Sequence, residues 1–126
     1  MPVSEPIDPW LELQAELTRI KPSAHLSSNE LKSYFYLLSQ ICRTGIFLTT
    51  ELNARESTVR ELEQRLKPRI ALTDRQDILA FLRRADLIKF ADEPTSQGEA
   101  ESWYQKVSGW QKDWETWKKN KDRADD

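Results

Sequence analysis

The strongest apolar face in this chain runs through SNELKSYFYLLSQICRTGIFL, residues 28–48. Its apolar residues recur mostly at intervals of three and four, the spacing that places side chains on one face of an α-helix. They are Leu31, Tyr34, Phe35, Leu38, Ile41, Cys42 and then Phe47 or Leu48. The pattern predicts a long second helix at the centre of a helical bundle.

Polar residues predict where this helix begins and ends. Ser27 and Glu30 form a capping-box pattern, in which each side chain satisfies a backbone donor of the other residue. Two endings are open. Gly45 stops the helix early, or Asn53, which tolerates a left-handed conformation, caps it after Leu52.

Further helices are predicted on both sides of the central one. Pro9 and Trp10 open the first helix, and Pro22 ends it. Capping-box pairs open the other three, namely Thr58 with Glu61, Thr73 with Gln76, and Ser96 with Glu99. The third helix ends at Pro68 and the fourth at Arg84 or Asp86, after which residues 87–91 form a buried, partly helical connection.

The sequence therefore predicts an all-α compact bundle of about five helices, with a long central second helix and a long Trp-rich C-terminal helix. One domain spans residues 10–117, after an extended lead-in at 1–9 and before a polar, fraying tail at 118–126. The predicted core comprises Leu31, Phe35, Leu38, Ile41, Leu62, Leu66, Ile78, Phe81, Leu82, Leu87, Phe90, Trp103 and Val107.

The C-terminal helix carries a stripe of tryptophans. Trp103, Val107, Trp110, Trp114 and Trp117 follow a 4-3-4-3 spacing and share one helix face. Its first half, to Val107, is most simply core. The second half extends beyond the reach of the shorter helices, and it predicts a partner or self-association surface at Trp110, Trp114 and Trp117.

Two other interpretations of the second half of the stripe stay open. In one, the first helix packs alongside and covers the tryptophans. In the other, the stripe contacts a membrane interface, where tryptophan beside lysine suits lipid headgroups. Asp113 and Glu115 interrupt the basic face, so protein contact is the stronger hypothesis.

Composition limits the classes of function. The chain has 126 residues, about one domain, and its 19 basic and 21 acidic side chains are mixed along it. No basic field of the kind that nucleic-acid binding needs is present, so no nucleic-acid partner is predicted. The sequence has no secretory signal and no run of roughly 20 apolar residues, and a cytoplasmic location is expected.

No catalytic, cofactor or metal signature is found, so the sequence predicts a protein that is not an enzyme. The glycines are isolated, the acidic residues alternate with arginines, and the lone His25 has no ligand partner at metal spacing. Cys42, the single cysteine, falls on the apolar face of the long helix, where a thiol is unreactive. A redox sensor centred on Cys42 is kept as an alternative.

Residues 81–91, FLRRADLIKFA, with Glu93-Pro94-Thr95 and the helix bearing Glu99-Ala100, resemble the end of a known bacterial domain. It is the cytosolic helical domain of aerotolerance membrane proteins of the Bat type, encoded near MoxR ATPases and von Willebrand factor A proteins. The resemblance extends upstream through residues 57–62 and 30–43, and covers residues 29–107.

This resemblance implies a non-enzymatic module at the inner face of the inner membrane. The partners would be a MoxR-type AAA ATPase or an A-domain protein, and the membrane would be reached only through a span of a parent chain. The family offers no catalytic residues to carry over. The present sequence departs from the family in having no membrane span and in continuing past Val107 with three further tryptophans. The alternative class is a helix-turn-helix-like nucleic-acid-binding regulator that uses helices three and four.

Within the resembling segment, we predict a structural turn at Asp86, Lys89 and Phe90. Asp86 would lie where the fourth helix ends and pair with backbone donors, Arg83 or Lys89. Leu87, Ile88 and Phe90 would then pack into the core and fix the angle between the fourth and fifth helices. A ligand-binding role would instead require an exposed Asp86.

Overall fold

A computed structural model describes residues 8–22, 25–66 and 72–124 of the chain. Five helices make up its regular structure: α1 (Pro9–Arg19), α2 (Ser28–Thr50), α3 (Val59–Leu66), α4 (Leu72–Phe90) and α5 (Gln97–Ala124). The described residues contain no β-strand. The predicted all-α bundle is confirmed, and so are the long second helix of 23 residues and the long last helix of 28 residues.

Helix α2 is the centre of the bundle, because α1, α4 and α5 all pack on it, while α3 packs on α4. The capping box at its start is present, with the Glu30 amide donating to Ser27 Oγ and the Ser27 amide donating to Glu30 Oε1. Two contacts show that α2 and α5 run parallel. The Leu26 amide donates to Gln97, and Gln111 Nε2 donates to the Ile41 carbonyl further along both helices.

Neither predicted ending of α2 is correct, because the helix continues through Gly45 and ends at Thr50. Glu51, whose φ is 64°, is its C-cap. Gly45 serves packing instead. A Cβ at this position would lie 2.8 Å from Cδ of Gln111 on α5, which is too close for an ordinary contact. The missing side chain therefore allows α5 to approach α2 closely.

Helix α1 lies against α5 and is fastened to it at both ends. Asp8 caps α1 by accepting from the Trp10 amide at 2.9 Å, and its second carboxylate oxygen accepts from Lys119 of α5 at 3.1 Å. At the other end, the Tyr104 hydroxyl donates to the Leu17 carbonyl at 2.8 Å. This bond satisfies one of the carbonyls that a helix C-terminus leaves unpaired. The two helices run antiparallel.

The hydrophobic core draws on all five helices. Its largest fully buried side chains are Phe35, Phe81, Leu17, Leu38, Ile46, Leu62, Leu66, Ile78, Leu82, Ile88, Val107 and Cys42. Most of the predicted core is confirmed, and Trp103 packs against it while partly buried. The prediction is wrong for Leu87 and Phe90, whose side chains are 43% and 75% exposed.

These two errors have one cause, which is that α4 does not end at Arg84 or Asp86 but continues to Phe90. Ala85 and Ile88 extend the buried face of α4 by another turn. Since helical periodicity then sets every orientation, Leu87 and Phe90 point away from the core. The chain turns at Asp92 instead, where φ is 55° and the carboxylate pairs with Lys32 of α2.

The connection from α4 to α5 is held by Arg84. Its guanidinium binds both carboxylate oxygens of Glu99, at 2.7 and 2.9 Å, and also donates to Glu93 and to the Pro94 carbonyl. The Thr95 hydroxyl and Trp103 Nε1 donate to the same Glu99 carboxylate. The sequence interpretation placed the turn at Asp86 and gave the fixing of the helix angle to Leu87, Ile88 and Phe90. In the structure, the contacts between α4, the connection and α5 are made by Arg84.

We expect the free energy of unfolding of the Glu99→Gln variant to be about 1 kcal/mol lower than that of the wild type at neutral pH. This value is small because solvent screens the half-buried pair of Arg84 and Glu99. The hydrogen bonds from Arg84 lower the pKa of Glu99 from 4.5 to about 2. Because the folded pKa lies below the unfolded one, this stabilisation is complete above about pH 4.5 and is lost as the pH falls toward about 2. Urea unfolding across this range measures it.

The matched control is Asp113→Asn, which removes an exposed carboxylate of the same helix. It should keep the acid dependence of the wild type, whereas Glu99→Gln should reduce it. Equal acid dependence in the wild type and Glu99→Gln would show that the Arg84 cluster contributes nothing to stability.

The domain limits differ slightly from the predicted ones. Helix α1 begins at Pro9, inside the predicted lead-in, whose residues 1–7 lie outside the described residues. The predicted stop at Pro68 lies outside them too. The predicted fraying tail is helical as far as Ala124, with Lys118 paired to Asp122 and Lys119 to Glu115.

Candidate functional site

The tryptophan stripe is largely covered. Trp103 lies 5.2 Å from Phe81 of α4 between ring centroids, Trp110 lies 6.4 Å from the same ring, and Trp110 stacks on Trp114 at 6.2 Å. Trp114 is only 8% exposed. The stripe therefore packs mainly within the bundle, and Phe81 of α4 contacts two of its rings.

The predicted partner surface at Trp110, Trp114 and Trp117 needs correction. Trp114 is in the core, and its ring stacks on that of Trp110. Trp110 is half-buried, and Trp117 is 49% exposed with Lys121 Nζ 5.1 Å above its ring. One exposed tryptophan remains of the three, and it does not form an extended surface.

The predicted structural turn also needs correction, since Asp86, Lys89 and Phe90 all lie within α4. Asp86 and Lys89 are half-buried, and Phe90 is the most exposed large apolar side chain in the described chain. The three residues line a surface groove. At this end of α4, Leu87 and Phe90 are exposed, whereas Ala85 and Ile88 are buried.

We call this depression the α2–α4 groove, and its volume is about 350 Å³. It lies between α2, the segment that joins α2 to α3, and the end of α4. Its lining residues are Tyr36, Ser39, Gln40, Arg43, Arg55, Glu56, Ser57, Thr58, Ala85, Asp86, Lys89 and Phe90. Its size falls in the range of sites that hold a few side chains or a small molecule.

Arg43 forms part of the wall of the α2–α4 groove and is 7% exposed. Its Nη1 donates to the Ala54 carbonyl at 2.9 Å and to the Ser57 carbonyl. These bonds hold the segment between α2 and α3 against the bundle. The Ser57 hydroxyl donates to the Asn53 carbonyl within that segment, which fixes its shape further.

The rim of the groove combines cations with aromatic rings. Lys89 Nζ lies 5.2 Å from the centroid of the Tyr36 ring, a cation–π contact between α4 and α2. Phe90 and Arg55 also line the groove. The groove contains three cationic side chains and two carboxylates, those of Glu56 and Asp86.

Sequence reasoning singled out Asp86, Lys89 and Phe90 but gave them structural roles, and it missed Tyr36, Arg43 and Arg55. A signal for Arg43 was present, because a cation directly follows Cys42 on the predicted core face of α2. Arg55 belongs to a connecting segment whose position depends on tertiary contacts. No local pattern indicates it.

Cys42 is fully buried in α2, and burial raises the pKa of its thiol to about 12. The thiolate is the reactive form of cysteine, so this environment argues against the redox-sensor alternative. We expect a disulfide reagent to modify native Cys42 at least about a hundredfold more slowly than the urea-unfolded chain, because access requires opening of the core. Equal rates in the two states would restore the sensor hypothesis.

In the described part of the chain, no three His, Cys, Asp or Glu side chains are grouped so as to bind a metal ion. No helix there is both long and apolar enough to cross a membrane. Comparisons with protein-family models, with curated proteins and with solved structures find no match to this chain.

Proposed function

We propose that this chain is a non-enzymatic protein–protein interaction module that receives its partner at the α2–α4 groove. The observation that carries the proposal is Phe90, an aromatic side chain 75% exposed at the mouth of a groove. Burial of a Phe side chain in a partner contributes about 1.5–3 kcal/mol. Leu87 and Tyr36, at 43% and 40% exposed, are further large apolar side chains on the outer faces of α4 and α2.

The partner class follows from the resemblance to the Bat-type cytosolic domain. That resemblance is most specific at residues 86–91, the part of the chain that ends α4 at the groove. A MoxR-type AAA ATPase, or an A-domain protein of the same group, is the proposed partner. In this proposal the module works at the inner face of the inner membrane as part of a larger membrane protein.

Calorimetric titration of the chain with a purified MoxR-type ATPase, and separately with an A-domain protein, tests the proposal. Phe90→Ser should weaken the binding at least about tenfold, as expected for an aromatic anchor at the centre of an interface. The matched control is Leu11→Ser, which alters a 66% exposed side chain on α1, outside the groove. It should bind like the wild type.

Absence of binding to both proteins would refute the proposed partner class. Equal losses in Phe90→Ser and Leu11→Ser would refute the groove as the site. Concentration-dependent dimerisation that Trp117→Ala abolishes, without any binding to the ATPase or the A-domain protein, would favour self-association through α5 instead.

A further inference from the structure

Arg43 is a buried cation with no carboxylate partner in the described part of the chain. Arg43 is 7% exposed, and within the described residues no carboxylate oxygen lies within 4.0 Å of its guanidinium. Two backbone carbonyls accept from Nη1. They supply partial charges but leave the positive charge of the guanidinium uncompensated, and burying an unpaired charge is costly.

The rest of the guanidinium is available from the groove. Nε and Nη2 of Arg43 have no hydrogen-bond partner among the described residues, and neither atom is sealed from solvent. The Arg43 side chain lines the α2–α4 groove, which gives a ligand a route to these N–H groups. A guanidinium edge of this kind binds a carboxylate with two parallel hydrogen bonds.

The surroundings favour a carboxylate over a phosphate. Arg55 and Lys89 add positive charge to the groove, but Glu56 and Asp86 line it as well. Their negative charges oppose a dianion more strongly than a single carboxylate. The apolar surfaces of Tyr36 and Phe90 would gain nothing from a free anion, whereas an apolar side chain next to the carboxylate would cover them.

We propose that the α2–α4 groove binds an acidic peptide segment of the partner, in which a carboxylate pairs with Arg43 and a neighbouring aromatic or aliphatic side chain packs on Phe90. This inference rests on the proposed function, because it specifies what the partner presents to the same site. Arg55 and Lys89 attract the segment from the rim, and Arg43 fixes its position.

The probe is the peptide Ac-Gly-Glu-Phe-Glu-Gly-NH2, titrated into the isotope-labelled chain and followed by NMR at the Arg43 Nε–H group and the Phe90 ring. The control peptide replaces both glutamates with glutamine. We expect the acidic peptide to shift both signals and to bind at least about tenfold more tightly than its glutamine counterpart, with an affinity that falls as salt rises.

The double variant Arg55→Gln/Lys89→Gln should weaken binding of the acidic peptide about tenfold or more, and Arg43→Gln should abolish it. Arg43 also holds the α2–α3 segment, so the double variant, which alters half-buried or exposed side chains, keeps the test valid if Arg43→Gln does not fold. Arg60→Gln, an exposed cation of α3 outside the groove, is the matched control and should bind normally.

Equal binding of the two peptides, or an affinity unchanged in the double variant, would overturn the inference. So would saturation of the Arg43 signal by inorganic phosphate without any response to the peptide. If the chain binds the ATPase but the acidic peptide causes no NMR shifts, the inference is refuted and the proposed function stands. Peptide binding without any response to the ATPase or A-domain protein would refute the proposed partner class and leave the binding of an acidic segment in the groove standing.

Discussion

The free energy of unfolding of the Phe81→Ala variant should be about 3–5 kcal/mol lower than that of the wild type, which is the usual cost of deleting a buried aromatic ring. Phe81 is fully buried and stands between Trp103 and Trp110, so one substitution removes both ring contacts that join α4 to the tryptophan stripe. Urea denaturation followed by far-ultraviolet circular dichroism measures the loss, and tryptophan fluorescence reports the stripe.

Phe90→Ala is the matched control, since it makes the same substitution on the same helix at a side chain that is 75% exposed. Its unfolding free energy should stay within about 0.5 kcal/mol of the wild type. Comparable losses in the two variants would mean that Phe90 is a core residue, as the sequence pattern suggested, and would remove the observation on which the proposed function rests.

The second large effect is expected at Gly45, where Gly45→Ala should destabilise the fold by about 1–3 kcal/mol. The new methyl group would overlap the buried amide of Gln111, whose Nε2 donates to the Ile41 carbonyl at 3.1 Å. Either α5 moves away from α2, or Gln111 gives up its hydrogen bond. Both changes weaken the same helix pair.

A double-mutant cycle isolates this contact. In a Gln111→Ala background the overlap is gone, and Gly45→Ala should become stabilising by up to about 1 kcal/mol, because alanine favours helix more than glycine does. Gly109→Ala is the control in the wild-type background. Gly109 is an exposed helical position with nothing within 4 Å of the added methyl group, and it should show the same propensity gain. A destabilising Gly45→Ala in both backgrounds would contradict the proposed close approach.

Local patterns were sufficient to predict the number and order of the helices, but not where α2 and α4 end. The capping box of Ser27 and Glu30 and the periodicity from Leu31 to Cys42 act within a few residues, so they can be recognised without knowing the fold. The role of Gly45 could not be predicted, because it depends on Gln111, a residue of a different helix. As a result, a packing glycine was interpreted as a helix stop.

The α2–α4 groove could not be predicted either, because it also depends on contacts beyond the local sequence. Leu87, Ile88 and Phe90 are all apolar, and only the continuation of the buried face through Ala85 to Ile88 decides which of them point outward. The burial of Trp114 likewise depends on how the helices pack together, which the local sequence does not show. The spacing of the tryptophans indicated that the stripe must be buried against something, but it did not show that other helices of the same chain bury most of it.

The fastening of α1 along α5 also determines how the domain can be tethered. Asp8 lies beside Lys119, so the two ends of the described chain emerge from the same pole of the bundle. A linker attached to either end would therefore hold the domain by that one pole, and a short peptide joining the ends would allow a circular permutant opened elsewhere. The start of α2 and the turn at Asp92, which Lys32 ties to that helix, would then face away from the point of attachment.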